Sequence, residues 1–316
     1  MGTRIIRAWR AIAPALLPPM KWPVAMLLLI GLSACTAADP RSAATPPVPR
    51  SSATVVPPAA GKKAAVPRPD HVVVVILENE HRSSVIGSPH APYLSKLATR
   101  GANLTHSYGI THPSQPNYLA LFSGSTQRVT SNACPQRFPK ADNLGHQLRV
   151  SGLSFAGYAE SLPEVGFTGC VSGDYQRKHN PWVNFTNLPA SVNRPFSAFP
   201  GDYRKLPTVS FVSPNMCDSM HDCSIRTGDR WMKKHLDRYA LWATHHNSWL
   251  VVTFDENAGG TVNPIPTIIV GDHVIPGPYA GKVYHYTLLR TIEDAYGLPA
   301  LGRATDVSPL STIWMS

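Results

Sequence analysis

Two unbroken runs of apolar, mostly β-branched residues constrain this chain more than any other feature. His71–Leu77 (HVVVVIL) and Trp249–Phe254 (WLVVTF) show no alternation of polar and apolar positions. Each therefore reads as a strand buried on both faces. Such strands sit in the middle of a sheet with helices packed above and below it. Both runs stop abruptly at polar residues, Glu78-Asn79-Glu80 after the first and Asp255-Glu256 after the second.

The rest of the chain from residue 70 alternates helical and strand patterns. Pro92–Arg100 reads as a helix closed by Gly101, and 103–108 as a strand. Helical spacing over 116–122 ends near Gly124, and 144–151 is closed by Gly152. Further strands are expected at 154–158, 207–213 and 266–270, with helices at 228–246 and 287–296. The alternation argues for an α/β fold, a mostly parallel central sheet with helices on both faces. Active sites in such sheets lie beyond the carboxyl ends of the strands. Residues 160–206 are irregular and are expected to form a loop-rich insertion over that edge. Trp231, Trp242, Trp249, Tyr284 and Tyr286 read as packing residues, His235 and His273 as surface residues, and His245-His246 as a solvated helix end.

Charge is unevenly placed. The 316 residues carry a formal net charge of +10, but residues 1–69 hold nine Lys and Arg against one acid, Asp39. Residues 70–316 are left with 20 basic and 18 acidic side chains. A basic groove is not implied, and nucleic acid is not expected as a partner. A hydrophobic content of 43% excludes a disordered chain and a multi-span membrane protein.

The basic residues cluster at the start for a reason. Arg4, Arg7, Arg10 and Lys21 flank a short apolar core, Val24–Leu32, of signal-peptide length. It ends in Leu32-Ser33-Ala34-Cys35, which resembles the bacterial lipobox cut before a lipidated Cys. The alternative is a secretory signal cleaved elsewhere, with Cys35 incidental. Residues 1–35 are thus expected to be a lipoprotein signal peptide, and the protein to be exported. It would be anchored on the extracytoplasmic side of a membrane through Cys35, or secreted if the lipobox is not used. Residues 36–69, rich in Pro and Ala, read as an extended tether, and 70–316 as the folded α/β domain. Four cysteines remain beyond Cys35. An even count in an exported domain suggests two disulfides, with Cys217–Cys223 and Cys134–Cys170 the expected pairs among three connectivities that sequence leaves open.

Three features could carry chemistry. Glu78 with Asn79, and Asp255 with Glu256, follow buried parallel strands and would meet at one edge. Converging carboxylates repel one another, and a divalent cation is the usual remedy; polar residues after strands can equally be turn or cap residues. The third is His112-Pro113-Ser114-Gln115-Pro116-Asn117. Ser114 stands where a helix begins, so it could be an ordinary N-cap. The same place could offer a nucleophile beside a metal, with helix N–H groups for a phosphate.

Residues 70–316 resemble the bacterial phosphoesterase family of acid phosphatases and phospholipases C, within the alkaline phosphatase superfamily. The resemblance rests on HVVVVILENE (71–80), APYLSKLATRGANLTHSYGITHPSQPNYLALFSGST (91–126), PNMCDSMHD (214–222), GDRWMKKHL (228–236), NSWLVVTFDEN (247–257) and VYHYTLLRTIEDAYGLP (283–299). The segment 114–117 also resembles the threonine-containing nucleophile motif of the nucleotide pyrophosphatase branch. The resemblance implies an alkaline-phosphatase-like fold. It implies Glu78, Asn79, Asp255, Glu256 and Ser114 as ligands of one divalent metal, with Ca²⁺, Mg²⁺ or Mn²⁺ favoured over Zn²⁺. Ser114 would be the nucleophile and form a phosphoserine. His221 would contact the phosphoryl group or protonate the leaving oxygen, His112 would assist, and Asp222 and Asp229 would orient these groups. The acid phosphatase branch can show two adjacent aspartates where this chain has Asp255-Glu256. Asp218, His221 and His285 are the candidates for a second metal set.

The activity implied is hydrolysis of phosphate monoesters at acid pH, through a metal-dependent site. A membrane tether would bring phospholipid headgroups, phosphoinositides among them, to that site at high effective concentration. A phospholipase C cutting a diester is the alternative enzyme, and a non-catalytic surface-binding lipoprotein the alternative of another class.

Overall fold

A computed structural model describes residues 66–315. The signal peptide, Cys35 and the tether as far as residue 65 lie outside the described residues. Within them the order is β1 (His71–Leu77), α1 (Arg82–Val85), α2 (Pro92–Arg100), β2 (Ala102–Tyr108), α3 (Ser114–Ser123), α4 (Leu144–Val150) and β3 (Phe155–Ala159). There follow β4 (Val171–Ser172), β5 (Tyr175–Gln176), β6 (Asn193–Pro195), β7 (Val209–Ser213), α5 (Ile225–Ala243), β8 (Ser248–Phe254), β9 (Thr267–Gly271), β10 (Gly277–Tyr284) and α6 (His285–Tyr296). No helix among the described residues is long and apolar enough to cross a membrane.

Eight strands form one sheet in the order β10-β2-β9-β8-β1-β7-β3-β6. All pairings are parallel except those of β9, which runs antiparallel to β8 and β2. The two apolar runs are neighbours at the centre. β1 alternates sides through the sheet: Val72, Val74 and Ile76 pack with α3, α4 and α6 on one face, while Val73, Val75 and Leu77 pack with α2 and α5 on the other. Both faces are covered, so no position of the run could be polar without burying an unpaired group. Trp231 and Trp249 are core residues, the latter stacked on Trp314 at 4.3 Å. His235, expected on the surface, lies half-buried against the Trp231 ring.

Two elements differ from the expectation. β10 was invisible to an apolar-run reading, because it is an exposed edge strand containing Pro278 and two glycines. The 160–206 insertion is not only loop: β6 joins the sheet edge beside β3. The insertion is pinned there by Gly157, where any side chain would overlap the Trp182 indole. The packed domain also begins before residue 70. Val66 packs against the core, and the Arg68 guanidinium lies 5.4 Å from the centre of the Tyr296 ring.

Both disulfides pair as expected. Cys134–Cys170 ties the segment after α3 to the start of the β4–β5 hairpin, and Cys217–Cys223, six positions apart, closes a short loop between β7 and α5.

On α6, Glu293 is fully buried; one carboxylate oxygen accepts the Leu301 N–H at 2.9 Å and the other has no partner. Burial pushes its carboxyl up to about 8 from an ordinary 4.5. A raised acid is neutral in the fold at low pH and penalised once ionised. Its contribution is therefore complete below 4.5 and lost as pH rises through about 8. Unfolding in urea should show the midpoint falling across this window, and Glu293→Gln should flatten the fall. Equal pH slopes in the two proteins would refute the assignment.

Candidate active site

The centre of the site follows from strand register. β1 and β8 pair with Leu77 opposite Phe254, so Glu78 and Asp255 leave the sheet side by side. Asn79 takes a left-handed backbone (φ 51°), which asparagine tolerates better than most residues. Its N–H donates to Asp255 Oδ1 at 3.3 Å. Glu78, Asp255 and Glu256 are all buried, at 5% exposure or less. Burial is the main cause that raises all three carboxyl groups above their ordinary range. The charge of Asp255 adds to it at Glu78, and that of Glu256 at Asp255, which is pushed up to about 7.

Ser114 reaches the same point from another strand end. It follows β2 through residues 109–113 and is the first residue of α3, whose N-cap is Pro113. The N-cap reading of Ser114 therefore does not hold. Its hydroxyl lies 3.2 Å from Glu78 Oε2 and 3.1 Å from Glu256 Oε1. One hydroxyl proton cannot serve both carboxylates, so the oxygen sits between two competing acceptors. Every residue of α3 is buried, which fixes this geometry. The helix end offers an anion less than its position suggests. The Gln115 N–H is already given to Asn132 Oδ1 at 2.9 Å, and Pro116 has none.

His112 Nδ1 lies 2.5 Å from Glu256 Oε2, and its side chain is 37% exposed. His221 lies with Glu78 and His179, a ring nitrogen within 4.8 Å of a ligand atom of each. Its Nδ1 meets Asp222 Oδ1 at 2.7 Å and its Nε2 lies 3.3 Å from Lys178 Nζ. Asp229 is elsewhere: its two oxygens accept the Tyr93 and Leu94 N–H groups at 3.1 and 2.8 Å, capping α2. Asp218, His221 and His285 do not gather as a set. Asp218 faces Glu160, and His285 Nε2 bonds the Asp255 backbone carbonyl at 2.7 Å.

Four further residues belong here. Tyr118, one turn beyond Ser114, donates its hydroxyl to Glu78 Oε1. His179 stacks on the Tyr118 ring with centroids 5.2 Å apart, its Nε2 3.3 Å from Glu78 Oε1. Burial pushes the His179 imidazole well below its ordinary value, with Lys178 adding to the effect. Lys178 and His179 come from the insertion, where no periodicity marks them. Tyr118 was legible in principle, since i and i+4 share a helix face. His285 holds the Asp255 backbone, as above.

Asn79 Oδ1 and Asp255 Oδ2 are buried without a hydrogen-bond partner. Orphaned oxygens beside three raised carboxyl groups are the donor set of a hard cation, so the residues fit one. Glu78, His179 and His221 form a second possible group, with ligand atoms all within 4.8 Å of one another. Its two imidazoles would suit a transition metal better. Thermal unfolding with Ca²⁺, Mg²⁺ or Mn²⁺ should exceed that in chelator by several degrees, and Asp255→Asn should shrink the difference. Identical transitions in chelator and in all three cations would contradict a metal at this point.

The model of the Phosphoesterase family matches residues 84–299. The chain is 49% identical over 253 residues to the phosphatidylinositol-3-phosphatase of Mycobacterium tuberculosis, covering 79% of this chain and 85% of that one. It is 32% identical to a probable acid phosphatase of Kluyveromyces lactis, over 73% of this chain and 59% of that protein. Among solved structures, an alkaline phosphatase superfamily protein from Vibrio parahaemolyticus superposes with a TM-score of 0.54 at 12% identity, covering 78% and 72% of the two chains. A phosphonate monoester hydrolase from Silicibacter pomeroyi gives 0.52 at 12% identity over 76% of each chain. These two likenesses concern the fold alone. The family match covers more than half of the chain, with α3, the insertion and the end of β8 inside it, and the chain belongs to the Phosphoesterase family.

Proposed function

We propose that this phosphoesterase is a metal-dependent phosphomonoesterase that works through Ser114 and acts on phosphate esters at a membrane surface. The observation that carries the reading is the Ser114 hydroxyl held between Glu78 and Glu256, with Asp255 alongside. A divalent cation held by Glu78, Asn79, Ser114, Asp255 and Glu256 would supply positive charge against the serine oxygen and the phosphoryl group. Ser114 then attacks phosphorus in line and becomes phosphorylated as the ester oxygen leaves. Its proton goes to one of the two carboxylates already in contact with it. His221, oriented through Nδ1 by Asp222, presents Nε2 as the acid for the leaving oxygen and later as the base for water. Lys178, beside that nitrogen, is placed to hold phosphoryl oxygens. His112 orients Glu256. Most of the acceleration comes from positioning and fixed charge, as in phosphoryl transfer generally.

The substrate is proposed from two supports. The Mycobacterium tuberculosis relative is named for phosphatidylinositol 3-phosphate, and the Leu32–Cys35 motif would anchor this chain to a membrane through Cys35. The relatives' names are those of phosphatases, which favours a monoester over the diester of a phospholipase C. Ser114→Ala should lower kcat on p-nitrophenyl phosphate by at least about a thousandfold without changing the far-ultraviolet circular dichroism. Retention of most activity would reject Ser114 as nucleophile. Release of phosphate rather than diacylglycerol from phospholipid vesicles separates the monoesterase from the diesterase.

A further inference from the structure

The near-neutral charge of residues 70–316 conceals an uneven distribution. α2 and α5 together carry seven Lys and Arg against two Asp, an excess larger than that of the whole region. Neither acid is free. Asp229 is buried with both oxygens on α2 N–H groups, and Asp237 Oδ1 lies 3.3 Å from the Arg100 guanidinium. Arg226, Arg230, Lys233, Lys234 and Arg238 of α5 are all exposed, and their spacing sets them on one face of the helix. α2 packs beside α5 and adds the exposed Lys96.

A groove of about 540 Å³ runs between the two helices. Lys96, Arg100, Arg230 and Lys233 line it together with Tyr93 and Leu241, and Leu241 is half exposed. Cations thus border apolar carbon, the combination that suits the phosphates and the acyl boundary of a bilayer. A nucleic-acid backbone would use the cations and leave Leu241 uncovered. Position adds a second argument. β1 begins where the tether joins the domain and ends at Glu78, so tether and site lie at opposite edges of the sheet. A tether alone therefore does not turn the site toward a membrane. α5 spans that distance. Its N-cap, Ser224, follows the loop that carries His221. Just beyond its other end, the Asn247 carbonyl accepts the Asp70 N–H at 2.6 Å, and Asn247 Nδ2 donates to the Arg68 carbonyl at 3.1 Å.

We propose that the basic face of α5 and α2 docks side-on against an anionic lipid bilayer. Laid flat on that surface, α5 brings the tether entry and the mouth of the site to the bilayer together. The cations meet lipid phosphates, and Leu241 meets the apolar boundary beneath them. The inference rests on the membrane-surface part of the function proposed above, and adds to it the face that binds and the sign of the lipid charge.

In the test, the chain from residue 36, with neither signal peptide nor acyl group, is sedimented with vesicles of phosphatidylglycerol or of phosphatidylcholine. Partition onto the anionic vesicles should exceed that onto the zwitterionic ones by at least about tenfold, and should fall as salt is added. One cation near an anionic bilayer is worth about fivefold in partition, so Arg230→Glu, Lys233→Glu and Lys234→Glu combined should lower it at least about tenfold. Glu at Arg128, Lys140 and Arg149, exposed positions outside α2 and α5, should lower it less than about threefold. Equal losses in the two triple variants would make net charge the cause and overturn the proposal. Equal partition onto both kinds of vesicle overturns it too, as does capture of duplex DNA without binding to phosphatidylglycerol. Both variants should keep the wild-type circular dichroism and the wild-type kcat/KM on p-nitrophenyl phosphate. Should the wild type hydrolyse no ester at all, the phosphatase reading fails by itself, and sedimentation still decides the face.

Discussion

Three carboxylates forced together at the ends of two adjacent parallel strands are the constraint from which the rest of this protein follows. The register of β1 and β8 leaves Glu78 and Asp255 no room to diverge. Glu256 adds a third negative group, and all three are buried. Such an arrangement is costly alone, because each ionised group raises the free energy of the others. The surroundings are built to bear it. The Tyr118 hydroxyl, the Ser114 hydroxyl, the Asn79 N–H and His112 all point hydrogen-bonding or positive character at this cluster. A buried cluster so unfavourable marks a candidate functional centre.

Much of this was legible from residues 71–80 and 249–257, where buried strands end in acids. Their apolar runs fixed the middle of the sheet, and the alternation of helices and strands fixed the layers. The antiparallel course of β9 was not legible, because it depends on how residues 255–266 turn rather than on the apolar pattern within β9. Pattern reading missed β10 because an exposed edge strand has no buried run to detect. Local spacing favoured Ser114 as a helix cap, and the helix indeed begins there. The spacing could not show that Pro113 takes the cap position and frees the serine hydroxyl. Asp229 misled for the opposite reason. It is an acid inside a recognisable motif, yet its oxygens are spent on the first turn of α2. Lys178 and His179 were hidden because irregular segments place side chains by tertiary packing, which leaves no period in the sequence.

The site also shows how rigid and adaptable parts are divided. Glu78, Asn79, Asp255 and Ser114 come from strand ends and a wholly buried helix, so their positions are fixed by the core itself. Lys178, His179 and His221 come from loops between elements. In phosphoryl transfer the groups that gather charge must be set most closely, while those that hold substrate can differ between relatives with other alcohols to release. The distribution matches that demand.

The loops have their own restraint in the two disulfides. One bridge stands eight residues upstream of Lys178 and the other encloses His221, so covalent bonds brace both flanks of the mouth while the sheet beneath contains none. The charged centre and its two flanks therefore answer to different chemistry. In a thiol-rich cytosol the chain would assemble its β-sheet and its acidic cluster, yet leave Lys178 and His221 loosely held. Reduction would thus loosen the mouth of the site while sparing its charged centre.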